Sequence, residues 1–215
     1  MRELLTRTVV GVILIAIALA SALFGGTVFA VLVALIATIM YVEWSRMVGH
    51  WGFNWKLLGF VYCLLPAISL LWIRERAEYE GIGTGFDLLI WVFLVVWSTD
   101  IGAYFAGRAI GGPKLAPSIS PNKTMAGLVG GVASAALFAG AWVYYVRLPA
   151  TLLWLAVLFG VAAQLGDLFE SGLKRRAGVK DSGTWLPGHG GLLDRLDGLV
   201  PVAVLTAALM VAGAL

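Results

Sequence analysis

Charged residues and cysteine are scarce in this chain. Asp, Glu, Lys and Arg make up 13% of its 215 residues, whereas hydrophobic residues make up 60%. The long apolar runs recur from end to end and leave no segment for a soluble domain. Cys63, the only cysteine, lies inside such a run, which excludes an intramolecular disulfide and a cysteine-based metal site. The composition is therefore typical of a multi-spanning membrane protein.

Apolar runs of membrane-spanning length predict seven helices. Runs of roughly 17–25 residues cover 5–24, 27–45, 57–73, 88–107, 124–146, 150–172 and 198–215. The first run follows Arg2 and Arg7 as in a signal peptide, but it is long and the next run begins almost at once, so we interpret it as a retained helix. The predicted fold is an all-α polytopic helical bundle. Residues 1–87 form its first three helices and an outer loop, and residues 88–215 form helices 4–7 with their charged loops.

Basic residues between the predicted spans fall mainly on one side. Twelve Lys and Arg residues lie on the side of the N-terminus and three lie on the other. We expect the protein to lie in the cell (inner) membrane. The positive-inside rule then places the N-terminus and the charged loops in the cytoplasm and the C-terminus on the outer side. The net charge of +3 is explained by this bias, so we expect no nucleic-acid partner.

The most polar stretch runs from Gly166 to Gly198. It contains four aspartates (Asp167, Asp181, Asp194, Asp197), five basic residues (Lys174, Arg175, Arg176, Lys180, Arg195) and a His-Gly-Gly turn at 189–191. Acids, bases and glycines together suit an anionic ligand carried with a divalent cation. The alternative is a solvated loop that sets membrane orientation, but such a loop needs no aspartates.

Two acids fall inside predicted spans. Asp100 has Tyr104 four residues on, and Asp167 has Ser171 four and Lys174 seven residues on, so each acid begins a polar stripe along one helix face. An ionisable group at that depth is costly and marks a site that faces the bundle interior. These stripes favour a cavity open to the cytoplasm over the alternative of buried structural hydrogen bonds.

The loop from Gly111 to Gly127 adds further polar groups. Its three prolines exclude a helix, and Ser120, Asn122, Lys123 and Thr124 lead directly into the fifth span. A helix N-terminus with a lysine and hydroxyl groups is a suitable phosphate site. Farther on, Asp194 and Asp197 are three residues apart, so with Asp167 they can form a carboxylate cluster for one or two hard cations.

Two weaker signals leave alternatives open. Glu43 lies near the end of the second span beside Arg46, which favours an interfacial ion pair over a place in a cavity. Gly127 and Gly131 form a GxxxG pattern, which allows either close helix packing or a homodimer.

The motif S-G-L-K-R-x4-K-D-S-G-x2-L-P-G-H-G-G-L-x-D-R-L-D, residues 171–197, resembles the signature of the phosphatidate cytidylyltransferases, the CDP-diacylglycerol synthases. The segments D-x2-A-Y-x2-G-R at 100–108 and P-S-I-S-P-N-K-T at 117–124 resemble other parts of that family. The chain departs from the pattern at Ala126, where many members carry Glu. The resemblance covers residues 88–215, and before residue 88 it rests on hydrophobicity alone.

This resemblance implies the reaction of CTP with phosphatidate to give CDP-diacylglycerol and pyrophosphate, with Mg²⁺ or another divalent cation and room for a second cation. It implies metal ligands at Asp167, Asp194 and Asp197, with Lys174 and Arg175 as further catalytic residues. The implied substrate-binding residues are Lys123, Ser120, Lys180, His189, Gly190, Gly191, Arg195, Asp100 and Tyr104.

Two other classes of protein share some of these features. A CDP-alcohol phosphotransferase has a D-G-x2-A-R pattern, but here Asp197 and Gly198 are followed by Leu199 and Val200. An ion-coupled transporter also places acids in membrane helices, but it needs fewer glycines and bases on one loop, and the sequence has no visible internal repeat.

Overall fold

The computed structural model describes residues 2–76, 84–186 and 190–215, with side chains from residue 8 onward. Its elements in chain order are α1 (Arg2–Phe24), α2 (Gly26–Met47), α3 (Phe53–Glu75), α4 (Gly85–Ile110), β1 (Lys114–Ala116), β2 (Ser120–Thr124), α5 (Met125–Val146), α6 (Thr151–Arg176), α7 (Leu193–Leu196) and α8 (Leu199–Val211). Each of the seven predicted apolar segments is helical. The all-α polytopic class is therefore confirmed.

Length and apolarity support five of the seven predicted membrane spans. Within the described residues, five helices are long and apolar enough to cross a membrane, namely α2 to α6. The apolar part of α1 with described side chains, Thr8–Phe24, and the whole of α8 are shorter. At 1.5 Å per residue, a helix of 13 residues covers roughly 20 Å, whereas the hydrocarbon core is about 30 Å thick.

A β-hairpin forms where the prolines exclude a helix. Strands β1 and β2 are antiparallel, with Lys114 opposite Thr124 and Ala116 opposite Ser120. Strand β2 runs directly into α5, whose first turn is capped by the Thr124 hydroxyl, which accepts a hydrogen bond from the Gly127 N–H at 3.0 Å. The hairpin thus fixes Lys123 at the N-terminal end of α5.

Helix α4 is the centre of the bundle and packs closely against α5. Its buried side chains include Trp91, Val92 and Val95. On α5, a Cβ at Gly127 would lie 3.0 Å from the Ala103 carbonyl, and one at Gly131 would lie 2.7 Å from the Thr99 carbonyl. The GxxxG pattern therefore serves close packing within the chain.

The C-terminal end of α6 lies beside the connection between α2 and α3. The Arg176 guanidinium carbon is 4.7 Å from the ring centre of Trp51 and 4.9 Å from that of Trp55. Cation–π contacts of this kind hold a cation against aromatic faces. They bring the start of the 166–198 stretch to the same end of the bundle as the end of α2.

Candidate active site

The end of the bundle formed by α4, β2, α5, α6 and α7 contains a cavity of about 720 Å³. Seven of the predicted site residues line it: Asp100, Tyr104, Lys123, Asp167, Asp194, Arg195 and Asp197. Arg108, Asn122, Thr124 and Gln164 lie beside them. The predicted meeting of the 117–124 segment with the 171–197 segment is therefore observed in the structure.

Lys123 and Asp167 form an ion pair across this cavity. The Lys123 Nζ lies 2.6 Å from Asp167 Oδ2 and 3.4 Å from the Gln164 Oε1. The other carboxylate oxygen of Asp167 accepts a hydrogen bond from the Ser171 hydroxyl at 3.3 Å. The hairpin and α6 thus meet through opposite charges, and the Lys123 and Asp167 side chains remain 18% and 31% exposed.

A second lysine joins α6 to α7. The Lys174 Nζ lies 2.6 Å from Asp194 Oδ1 and 2.8 Å from Glu170 Oε2. Both carboxylates are nearly inaccessible, with 5% of the Asp194 side chain and none of the Glu170 side chain exposed. Lys174 is itself buried and does not line the cavity, so its direct contacts are with these two acids.

Asp194 also receives backbone hydrogen bonds from the connection between α6, which ends at Arg176, and α7, which begins at Leu193. We call this connection the signature loop. The Ser182 N–H lies 3.0 Å from Oδ2 and the Gly191 N–H lies 2.8 Å from the same oxygen. Burial favours the neutral acid, but the hydrogen bonds from Lys174 and Gly191 outweigh it and lower the pKa of Asp194. Asp194 is therefore an anion that joins the two ends of the loop through hydrogen bonds to Ser182 and Gly191.

Asp197 is also buried, at 8% exposure. Burial, followed by the charge of Asp167, raises the pKa of Asp197 to about 7. Carboxylate oxygens gathered in this way are the donor type that Mg²⁺ prefers. Across 2–76, 84–186 and 190–215, however, no three Asp, Glu, His or Cys side chains are grouped as a metal site. The donor chemistry fits a hard cation, and the assignment of Asp167, Asp194 and Asp197 as its ligands stays a prediction.

Other predicted residues lie outside the cavity lining. Arg175 donates to the Ile119 carbonyl at 3.2 Å and to the Val179 carbonyl at 3.3 Å, and it thereby ties α6 to the hairpin turn. Ser120 lies in the hairpin opposite Ala116. Lys180 is exposed in the signature loop.

The His-Gly-Gly turn is described only in part. Gly190 has a positive φ of 83°, a backbone conformation that favours glycine, and its carbonyl accepts from the Leu186 N–H at 3.0 Å. Gly191 donates to Asp194. His189 lies outside the described residues.

Several contributors were not predicted as site residues, among them Arg108, which lines the cavity. Gln164 contacts Lys123 and Glu170 contacts Lys174. Helical spacing could have indicated both residues, because Gln164 lies three residues before Asp167 and Glu170 lies four residues before Lys174 on α6. For Glu43 the sequence favoured an interfacial ion pair with Arg46 over a place in a cavity, but the side chain is fully buried. Its carboxylate instead accepts hydrogen bonds from the backbone of Leu192 and Leu193.

The chain was also compared with known proteins. Residues 56–212 match the model of the Cytidylyltransferase family. A phosphatidate cytidylyltransferase of Brucella suis biovar 1 (strain 1330) is 46% identical over 178 residues, which cover 81% of this chain and 62% of that protein. Proteins of the same name from Staphylococcus aureus (strain COL) and Pseudomonas aeruginosa are 41% identical over 161 residues and 39% identical over 182 residues.

Those two matches cover 74% and 81% of this chain. The matched part of the three relatives is 62% to 65% of their own length. The family model, in contrast, spans α3 to α8 and includes every side chain that lines the cavity. By this match, the chain belongs to the cytidylyltransferase family.

Proposed function

We propose that this protein is a CTP:phosphatidate cytidylyltransferase, which makes CDP-diacylglycerol and pyrophosphate for phospholipid biosynthesis at the cytoplasmic membrane face. One observation carries the proposal: the 117–124 and 171–197 segments line one cavity that holds four carboxylates and three basic side chains. Such mixed charge suits polyanionic substrates that arrive with a divalent cation. The relatives named above carry the same activity in their names.

The reaction joins two anions. A phosphate oxygen of phosphatidate forms a bond to the α-phosphorus of CTP while the bond to the β-phosphate oxygen breaks, and the electron pair leaves with pyrophosphate. The nucleophile is already ionised, so a general base is unnecessary, and catalysis depends on positioning and on charge stabilisation. Lys123, Arg195 and Arg108 line the cavity and are the groups we assign to the phosphates.

Mg²⁺, when bound, would neutralise charge that develops on the phosphate oxygens. We assign Asp167, Asp194 and Asp197 to hold it. Asp167 is the most accessible of the three, and its partner in this structure is Lys123. Substrate binding would separate this pair, because the lysine can then contact a phosphate while the carboxylate contacts the cation.

The burial of Lys174 suggests a different role from direct phosphate binding. With Glu170 on one side and Asp194 on the other, it holds Asp194 in place at the edge of the cavity. We therefore assign Lys174 as a positioning residue.

The remaining assignments follow the sequence. We propose that the N-terminus and the charged loops are cytoplasmic and the C-terminus external, and that residues 88–215 carry the catalytic loops. We also propose that all seven apolar segments cross the membrane, the last of them as the whole of 198–215 and not as α8 alone. A homodimer would use a surface other than the Gly127 and Gly131 pair, which is buried against α4.

The proposal is tested with the full chain purified in detergent. Pyrophosphate release from CTP should require both phosphatidate in mixed micelles and Mg²⁺, and the lipid product should be CDP-diacylglycerol. Release of pyrophosphate at the same rate without phosphatidate would contradict the assigned acceptor. The absence of any CTP turnover with both substrates and Mg²⁺ present would contradict the proposed function itself.

A further inference from the structure

Glu43 is a buried acid far in sequence from the signature loop that it contacts. It lies near the end of α2, before the residues matched by the family model, and is 0% exposed. Its Oε1 accepts from the Leu192 N–H at 3.0 Å, and its Oε2 accepts from the Leu193 N–H at 2.8 Å. The Ser182 hydroxyl donates to Oε2 at 3.3 Å. A carboxylate removed from water requires such donors, since burial without them is costly.

Two glycines allow the loop to approach this carboxylate. A Cβ at Gly183 would collide with Glu43 Oε1. A Cβ at Gly191 would collide first with the Ser182 hydroxyl oxygen and would also lie 2.8 Å from the same Glu43 oxygen. Neither glycine has a positive φ. A side chain is therefore excluded at both positions by the close approach of neighbouring atoms and not by the backbone conformation. The backbone of the loop thus packs directly onto the acid.

The same two loop ends also contact Asp194. The N–H groups of Ser182 and Gly191 donate to the Asp194 carboxylate, while the Ser182 hydroxyl and the N–H groups of Leu192 and Leu193 donate to Glu43. Two acids from distant parts of the chain therefore fix one loop between them. Glu43 binds the backbone one residue before Asp194, at the point where α7 begins.

We propose that Glu43 is a positioning residue, which fixes the ends of the signature loop, Ser182–Gly183 and Gly191–Leu193, so that Asp194 faces the cavity. This inference rests on the proposed function and extends it, because it makes α2 part of the active-site framework. Glutamate suits this role because its two oxygens accept from two successive backbone N–H groups. A glutamine at the same place would turn an amide N–H₂ toward one of those donors.

The main test is Glu43→Gln in the full-length protein. We expect kcat for pyrophosphate release per folded molecule to fall roughly 10- to 100-fold, since a small displacement of a reacting group has an effect of this size. The KM for CTP should change much less, because the cavity side chains that meet the nucleotide are unaltered. Glu43→Asp keeps the charge and should recover part of kcat. Glu75→Gln, the same substitution at an exposed position of α3, should retain wild-type kcat.

A second variant acts from the side of the loop. Gly183→Ala places a Cβ against the Glu43 carboxylate and should also lower kcat, so it replaces Glu43→Gln as the test if that variant fails to fold. In the double variant the two losses should be far less than multiplicative, because both disrupt one contact. Wild-type kcat in the folded Glu43→Gln variant would overturn the inference. If Glu43→Gln does not fold, wild-type kcat in Gly183→Ala would overturn it instead. Fully multiplicative losses of kcat in the double variant would overturn it as well.

A measurement independent of turnover separates this inference from the proposed function. Lys180 is exposed two residues before Ser182, so trypsin should cleave after Lys180 faster in Glu43→Gln than in the wild type, with cleavage after Lys114 unchanged. Equal cleavage rates at Lys180 would overturn the positioning role. An inactive wild-type protein would instead contradict the proposed function, and the proteolysis rates would still decide whether Glu43 fixes the loop.

Discussion

Lys123 provides the sharpest test of the cavity as a phosphate site. It is one of three basic side chains that face four carboxylates there, so Lys123→Ala leaves four acids and two bases to receive two polyanionic substrates. At an effective dielectric constant of about 20, a unit charge roughly 4 Å from another contributes about 4 kcal/mol. Loss of one well-placed electrostatic partner in a transition state typically lowers the rate by about 10²–10³-fold. We expect a decrease in kcat/KM of that order.

The stability of the protein should change far less than its activity. The Lys123 and Asp167 side chains are 18% and 31% exposed, and partly exposed ion pairs contribute about 0–1 kcal/mol to folding. Lys123→Ala should therefore shift the thermal unfolding midpoint only slightly. Lys123→Arg should restore kcat/KM in part, because a planar guanidinium does not replace a compact ammonium at a point contact.

The assay is pyrophosphate release from CTP with phosphatidate in mixed micelles, expressed per folded molecule. Lys114→Ala is the matched control, since Lys114 lies on the other strand of the same hairpin, is exposed and does not line the cavity. It should retain wild-type kcat/KM. Wild-type kcat/KM in Lys123→Ala would remove the hairpin from the active site, and an equal loss in Lys114→Ala would mean that only the net charge of the hairpin matters.

Three further predictions concern the metal, the helix packing and the topology. Asp167→Asn should lower kcat by about 10²-fold or more with folding retained. Asp181→Asn, at an exposed position, should have only a mild effect on kcat. Equal, mild effects of the two substitutions would contradict the metal assignment. Gly131→Ala places a Cβ 2.7 Å from the Thr99 carbonyl and should destabilise the protein by about 1–3 kcal/mol, as measured by thermal unfolding. Gly172→Ala, whose Cβ would meet nothing closer than 3.9 Å, should leave the stability unchanged. Unaltered unfolding of Gly131→Ala would refute the close α4–α5 packing. A reporter fused to the C-terminus should be active only if it functions outside the cell, and activity of a cytoplasmic reporter would reverse the topology.

The positions of the helices were largely readable from the sequence, because a membrane helix requires a continuous apolar run. The run 88–107 became Gly85–Ile110, and the differences lie at its ends. There, Thr84 and Asp87 form a capping box, and Gly111, with φ of 68°, ends the helix. Hydropathy does not record such capping groups, so the boundaries depended on local hydrogen bonds.

The cavity was predictable in its composition but not in its pairings. The acids of two helices and the lysine before α5 indicated a shared polar site, and the structure brings them together. The sequence did not predict which lysine pairs with which acid, because Lys123 and Asp167 are 44 positions apart and Lys174 and Asp194 are 20 apart. No local pattern encodes such contacts, whereas the Glu170 to Lys174 pair follows from helical spacing alone.

Glu43 illustrates the same limit over a greater distance. A glutamate three residues from an arginine at a helix end favours a local ion pair, and the sequence alone gives no reason to reject it. Complete burial and the two backbone donors decide otherwise. A tightly packed glycine at position 183 or 191 becomes informative only when the opposing carboxylate is known.

The contact between α2 and the start of α7 has a consequence for the biogenesis of the protein. Its two hydrogen bonds, from the N–H groups of Leu192 and Leu193 to the Glu43 carboxylate, join positions 149 and 150 residues apart. Synthesis proceeds from the N-terminus, so α2 is made while the residues that will satisfy its acid do not yet exist. A contact of such sequence separation forms only after the intervening helices have inserted and packed. A nascent or truncated chain therefore carries the separate parts of the site without its geometry, and the working arrangement is completed among the last steps of assembly.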